Sequence, residues 1–264
     1  MTTDIPVTSR PGNCTPDPGP APVGRMLLAQ TVLEVKMLLR NGEQLLLTVV
    51  IPAVLLVLFS AVDVVDTTGP GKRVDFMAPG LLALAVLSTA FTGQAIATGF
   101  ERRYGVLKRL GASPLPRWAL LSAKTGCVLL TELLQVVLLS VIALALGWSP
   151  HGDPFSVAAL LVLGTAAFSG LGLLMAGTLR AEATLASANL VFVLLLLAGG
   201  VVIPLDKFPS AVHSALELLP ISAMSDGLRA VLQHGAGTPW GDLGILVVWS
   251  VLALGAAARF FRWE

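Results

Sequence analysis

From Leu45 to Val62 the chain reads LLLTVVIPAVLLVLFSAV, a run with no ionisable side chain. A run of that length approaches the ~20 apolar residues that an α-helix needs to cross ~30 Å of hydrocarbon. Five further long apolar stretches follow, at about 79–99, 118–146, 155–177, 185–204 and 242–260. Only 12% of the 264 residues are charged, against about 25% in ordinary soluble domains. That fraction is too small to cover a water-soluble globule, and a soluble helical core would need short amphipathic helices instead. The expected fold is therefore an all-α membrane protein with six transmembrane helices.

The flanking segments read differently. Residues 1–23 hold Pro6, Pro11, Pro16, Pro18, Pro20 and Pro22 and few large apolar side chains. They are expected to be a disordered tail, without the apolar core of a signal peptide. Over 24–43, Leu28, Val32, Val35 and Leu39 recur at helical spacing, with Gln30, Glu34 and Asn41 on the other side. Two placements suit such a helix: lying in the membrane interface, which we expect, or packing on the rest of the protein from the cytoplasm. The membrane domain is expected to cover 24–264.

Lysine and arginine set the orientation. With six spans and both termini in the cytoplasm, the inner side receives Arg10, Arg25, Lys36, Arg40, Arg102, Arg103, Lys108, Arg109, Arg117, Lys124, Arg180, Arg259 and Arg262. The outer side keeps Lys72, Arg73, Lys207 and Arg229. This split predicts a multi-pass protein of the cytoplasmic membrane with both termini inside. A net charge of +1 gives no general attraction to nucleic acid, and two cysteines, Cys14 and Cys127, indicate no disulfide framework.

One basic island interrupts the oil. Residues 100–117 form the inner loop between the second and third spans, FERRYGVLKRLGASPLPR. Tyr104 to Leu110 is expected to make about two helical turns with Val106, Leu107 and Leu110 on one side. Gly111 and the Pro114–Pro116 pair end it. A short charged helix at the membrane face suits docking on a soluble partner. Plain positive-inside anchoring accounts for the charge as well, but less readily for Glu101, Gly105 and the prolines.

The stretch Glu101–Arg117 resembles the cytoplasmic loop of ABC-2-type permeases, the membrane subunits of ATP-driven exporters. The match falls on Glu101, Arg102, Gly105, Leu107, Arg109, Leu110, Pro114 and Arg117, and it departs at Arg103, where many members carry Glu. A second stretch is similar to the segment after the fifth span in that family: Gly199–Pro204, Phe208–Pro209, Leu219–Pro220 and Asp226–Arg229. Short re-entrant or interfacial helices stand there on the outer side. The daunorubicin-exporter type of membrane subunit is the nearest kind. The resemblance covers about 24–262 and implies a mechanism. ATP and magnesium bind a separate nucleotide-binding subunit, with no cofactor on this chain. The loop helix seats in a cleft of that subunit, and two permease chains, identical or sister, pair to move a hydrophobic or amphipathic cargo. The implied coupling residues are Glu101, Arg102, Gly105, Leu107, Lys108, Arg109 and Leu110, their charges pairing across the docking face and their leucines filling its groove. The implied outer motif is Pro204, Pro209, Pro220, Asp226 and Arg229. No G-x-x-x-x-G-K-[ST] loop occurs. Gly69–Arg73 lacks its spacing and hydroxyl, consistent with ATP chemistry elsewhere.

Glu132, inside the third span, is the intramembrane polar candidate. An interhelical hydrogen bond to Gln135 or a neighbouring hydroxyl, a contact with cargo or water, and a proton relay all suit it. The histidines His151, His213 and His234 lie far apart and argue against a metal site. Asp226–Gly235 superficially resembles the acidic motif of membrane phosphoalcohol transferases but lacks the further aspartates that hold metal ions there, so no catalytic residue is expected. Two other classes remain to be separated: an ion-gradient-driven secondary transporter or channel, which calls for several intramembrane ionisable groups, and a non-transporting anchor for an ATPase.

Overall fold

The computed structural model describes residues 21–40, 42–61, 73–111, 116–201 and 209–261, and all regular structure among them is helical. The elements in chain order are α1 (Val23–Arg40), α2 (Gly42–Ala61), α3 (Arg73–Val86), a π-helical segment (Leu87–Gly93), α4 (Gln94–Arg103), α5 (Val106–Gly111), α6 (Arg117–Ala145), α7 (Pro154–Thr178), α8 (Ala181–Ala198), α9 (Ser210–Glu217), α10 (Pro220–Leu232) and α11 (Trp240–Phe260). Of the expected tail, 1–23, residues 1–20 lie outside the described residues and Val23 already belongs to α1; Asn41, Pro114 and Pro204 lie outside them too.

Among the described residues five helices are long and apolar enough to cross a membrane: Arg73–Arg103, Ser122–Ala145, Pro154–Thr178, Ala181–Ala198 and Trp240–Phe260. The remaining expected span, the first in chain order, falls on α2, a 20-residue helix with Pro52 inside it. The Arg73–Arg103 rod, made of α3, the π segment and α4, is the most buried of the five. From Met77 to Leu87 every side chain in it is buried, so it reads as apolar all round rather than amphipathic. Around it stand α2, α6, α7, α8 and α10, and α11 lies along α7.

Polar contacts sort the helix ends into two sets. At one end Arg102 donates to the carbonyl of Leu179, Arg103 pairs with Glu182, and Gly177 lies against Phe261. At the other, Ser149 N donates to Asp75 (3.2 Å), His151 N to the carbonyl of Leu232 (3.0 Å), and Ser156 and Thr238 share a hydroxyl bond (3.1 Å). The long helices therefore alternate in direction. The start of α7 at the second end is explicit. Pro154 fills the first helical position, and Asp153 accepts from the backbone N–H of Phe155 and Ser156, which holds its carboxyl below the ordinary aspartate range.

Two expected boundaries move. The second span starts about six residues earlier than its apolar run, because Asp75 and Arg73 are accommodated at the helix end. The fifth ends at Ala198 rather than at 204, because Gly199 and Gly200 interrupt it, the latter with φ +67°. α1 packs on α6 with Gln30 buried and Glu34 turned inward, while Leu28, Val32, Leu33, Met37 and Leu39 face outward.

Small residues set the closest helix approaches, as they do where lipid gives no hydrophobic drive to pack. A Cβ on Gly170 of α7 would lie 2.7 Å from Leu254 N and 2.8 Å from Ala253 Cβ of α11, mostly backbone that cannot step aside. One on Gly255 would meet nothing within 4 Å. Gly170→Ala is expected to destabilise the fold by about 1–3 kcal/mol, and Gly255→Ala to leave it unchanged. Thermal unfolding in detergent checks the pair.

Candidate functional site

The central rod carries the basic island at its foot. α4 ends where Tyr104 N and Gly105 N fold back onto the carbonyls of Phe100 (2.9 Å) and Arg102 (3.1 Å). Gly105 has φ +69°, a left-handed conformation that side-chain-bearing residues rarely take. It reverses the chain into α5, whose first bond runs from Arg109 N to the carbonyl of Gly105 (3.1 Å). The Tyr104 ring stacks on Phe100 with centroids 6.2 Å apart, and the Arg103 guanidinium lies 5.9 Å from its centre.

The turn has two sides. Leu107 is buried at 1% exposure and Leu110 is half-buried, so both belong to the protein's own packing. Tyr104 is 66% exposed, and Val106, Lys108 and Arg109 face outward with it. Val106 thus parts from Leu107 and Leu110, with which its spacing had grouped it, since α5 is shorter than two turns. Glu101 and Arg102 also turn inward: Arg102 reaches Leu179, and Glu101 reaches Lys124.

That last contact belongs to a buried triad. Lys124, 5% exposed on α6, places its Nζ 2.5 Å from Glu101 Oε2 of α4 and 3.2 Å from Glu34 Oε1 of α1. Gln30 Nε2 donates to the same Glu34 oxygen at 3.1 Å. One ammonium therefore ties three helices together immediately behind the turn. The pairing of Lys124 with residues 23 and 90 positions away was not visible in the sequence. Its one signal was a lysine placed seven residues into a mostly apolar helix.

The outer motif resolves into packing. Arg229 is 6% exposed and donates to the carbonyls of Gly200 (2.7 Å) and Val201 (2.8 Å), while Asp226 accepts from it at 3.3 Å. Its guanidinium lies 3.9 Å from the centre of the Phe76 ring. Burial lowers its pKa to about 10, against the pull of Asp226, and the guanidinium stays charged at neutral pH. Ser225 donates to Gly199, so α10 caps the broken end of α8 and leans on α3. Pro220 is buried at the first position of α10, and Pro209 is exposed before α9.

Glu132 lies two turns above Lys124 on α6 and is 5% exposed. The Thr165 hydroxyl of α7 donates to its Oε2, and one turn along α6 Gln135 accepts from Thr89 at 2.9 Å. Of the readings open for Glu132, a bond to a neighbouring hydroxyl is present in this geometry. Among the described residues no group of three or more His, Cys, Asp or Glu is arranged to hold a metal ion.

Long apolar helices alternating around a buried rod define a multi-pass membrane protein. A family model described as ABC-2 type transporter matches residues 27–232. The chain belongs to that family. It is also similar to a curated protein of Bacillus subtilis (strain 168), "Putative transport permease YvfS". The two are 26% identical over 236 residues, covering 86% of this chain and 93% of that one.

Replacing Lys124 by Met would leave two buried carboxylates facing each other. We expect Lys124→Met to lower stability by about 3–5 kcal/mol. The uncharged triple variant Glu34→Gln/Lys124→Met/Glu101→Gln should recover most of that loss in the same thermal-unfolding assay. Equal loss in both variants would mean that the three charges do not form a compensated unit.

Proposed function

We propose that this chain is the membrane subunit of an ATP-driven exporter of the daunorubicin-exporter type, with ATP and magnesium held by a separate nucleotide-binding subunit. The observation that carries this reading is the outward face of the turn, Tyr104, Val106, Lys108 and Arg109, in a chain of the ABC-2 family. Tyrosine and arginine are the side chains that most often anchor protein interfaces, and the basic edge calls for an acidic groove on the partner. Leu107 and Leu110 support the turn from within, a different role from filling the partner's groove.

In this reading the basic end is cytoplasmic by the positive-inside rule, both termini lie there, and α2 is the first of six spans. The outward apolar side of α1 rests in the lipid interface while Glu34 holds it to α6. Two permease chains pair, and a hydrophobic or amphipathic cargo crosses at their shared surface as the ATPase subunits close and open. The triad supplies the mechanical link. Glu101 is three residues from Tyr104, so a push on the turn moves α4 together with Lys124 on α6 and Glu34 on α1. Arg102 and Arg103 carry the same displacement to α7 and α8 through Leu179 and Glu182.

Arg109→Glu reverses an outward charge without touching the internal contacts. It is expected to weaken binding of the ATPase subunit by about tenfold or more and to abolish transport, while membrane insertion stays at the wild-type level. Co-purification, vesicle transport and a membrane fraction blot read the three. Loss of insertion alone would favour charge anchoring over docking.

A further inference from the structure

The outward face of α1 carries more than apolar side chains. Arg25, Lys36 and Arg40 are exposed on it. At 3.6 residues per turn they fall within about 60° of one another, spread over about 22 Å of helix. Leu28, Val32 and Leu39, also exposed, border the same stripe. Glu34 is the single carboxylate of α1, and it lies on the far side, where Lys124 holds it. No ion pair takes the side chain of Arg25, Lys36 or Arg40 among the described residues. Lys36 and Arg40 stand one turn apart, a spacing at which like charges weaken a helix. An anion seated between them removes that cost.

Contacts with α6 set the depth of this stripe. Glu34 meets Lys124, and a Cβ on Gly126 would lie 3.5 Å from the Thr31 side chain. Both α6 residues stand in the first turns of the apolar stretch Ser122–Ala145, near the level where hydrocarbon gives way to headgroups. A free phosphate would meet the three cations and leave the leucines beside them in water. The edge of a bilayer meets both at one depth, with phosphate oxygens for the cations and acyl chains for the leucines. The stems of lysine and arginine reach naturally from one layer to the other.

We infer that the outward face of α1 is a seat for anionic phospholipid headgroups, with Arg25, Lys36 and Arg40 on the phosphates and Leu28, Val32 and Leu39 among the acyl chains. This rests on the reading that lays α1 in the membrane interface, and it names the lipid that α1 selects there. A zwitterionic lipid carries the same phosphate together with its own cation, which repels the three side chains. A lipid of net negative charge is therefore favoured, by about fivefold for each cation that it meets.

The test uses the full chain in phosphatidylcholine vesicles holding a trace of phosphatidylglycerol with a photoreactive headgroup. Peptide mass spectrometry counts the adducts on α1, and a phosphatidylcholine probe with the same reactive group is the reference. The anionic probe is expected to label α1 about tenfold more than the reference. Lys36→Gln should lower that labelling about fivefold, and Arg25→Gln/Lys36→Gln/Arg40→Gln should bring it to the reference level with thermal unfolding unchanged. Arg25→Lys/Lys36→Arg/Arg40→Lys, which keeps the three charges, should retain it. Unlabelled phosphatidylglycerol should compete with the probe, and glycerol phosphate at the same concentration should not. Equal labelling by the two probes, or wild-type labelling of both glutamine variants, overturns the inference and leaves α1 held by apolar contact alone. Competition by glycerol phosphate assigns the cations to a soluble phosphate and overturns it as well. Failure of both probes to label α1 removes the helix from the interface, and the reading beneath the inference falls with it. No nucleotide, ATPase subunit or cargo enters the assay, so this result and that of Arg109→Glu can fail independently.

Discussion

A lysine with almost no exposed surface needs a counter-charge within a few ångströms, and Lys124 has two. Its partners come from the first helix and from the foot of the central rod, elements far apart in sequence. This arrangement settles which way α1 faces. With Glu34 and Gln30 committed inward, the apolar side of α1 faces outward, which is what the proposed interfacial placement requires. The same ammonium fixes Glu101, and with it the start of the turn that exposes Tyr104. The placement of α1 and the projecting turn thus share one electrostatic anchor.

The opposite end is organised by a second buried cation with different chemistry. Arg229 has few formal charges to meet and instead satisfies the carbonyls left open where α8 stops at Gly199 and Gly200. Backbone groups at membrane depth must find partners within the protein, and a five-donor guanidinium is well suited to supplying several at once. Between these two fixed ends the rod passes through seven π-helical residues. π segments recur at functional sites because they displace backbone groups from the regular ladder. Here the segment is also where Thr89 bonds Gln135, one turn from Glu132.

Much of this was legible from the residues. Run length gave the apolar helices, because a 20-residue apolar helix has few alternatives in water or lipid, but not the break at Gly199 and Gly200, through which the fifth expected span ran. The segregation of basic residues to one end was also readable, but the turn at Gly105 was not, since the spacing had placed that glycine inside a helix from Tyr104 to Leu110. The orientation of charged side chains was not. Glu101 and Arg102 sit beside Lys108 and Arg109 in the sequence, yet the first two are consumed internally and the last two project. Local spacing cannot separate them, since the difference is made by Lys124 and Leu179, residues from other helices. Arg229 similarly reads as an outer-face charge, and only the carbonyls opposite reveal it as a cap.

The central claim is that mechanical work enters through the turn behind which Glu101 and Lys124 pair. A photo-crosslinking amino acid in place of Tyr104, activated in intact cells and followed by mass spectrometry of the joined protein, tests this most directly. A nucleotide-hydrolysing subunit with a phosphate-binding loop, captured from this position and not from an outward residue of α8 such as Leu194, is the expected result. Recovery of lipid adducts alone at Tyr104, together with transport by the purified chain on an ion gradient without ATP, would contradict it.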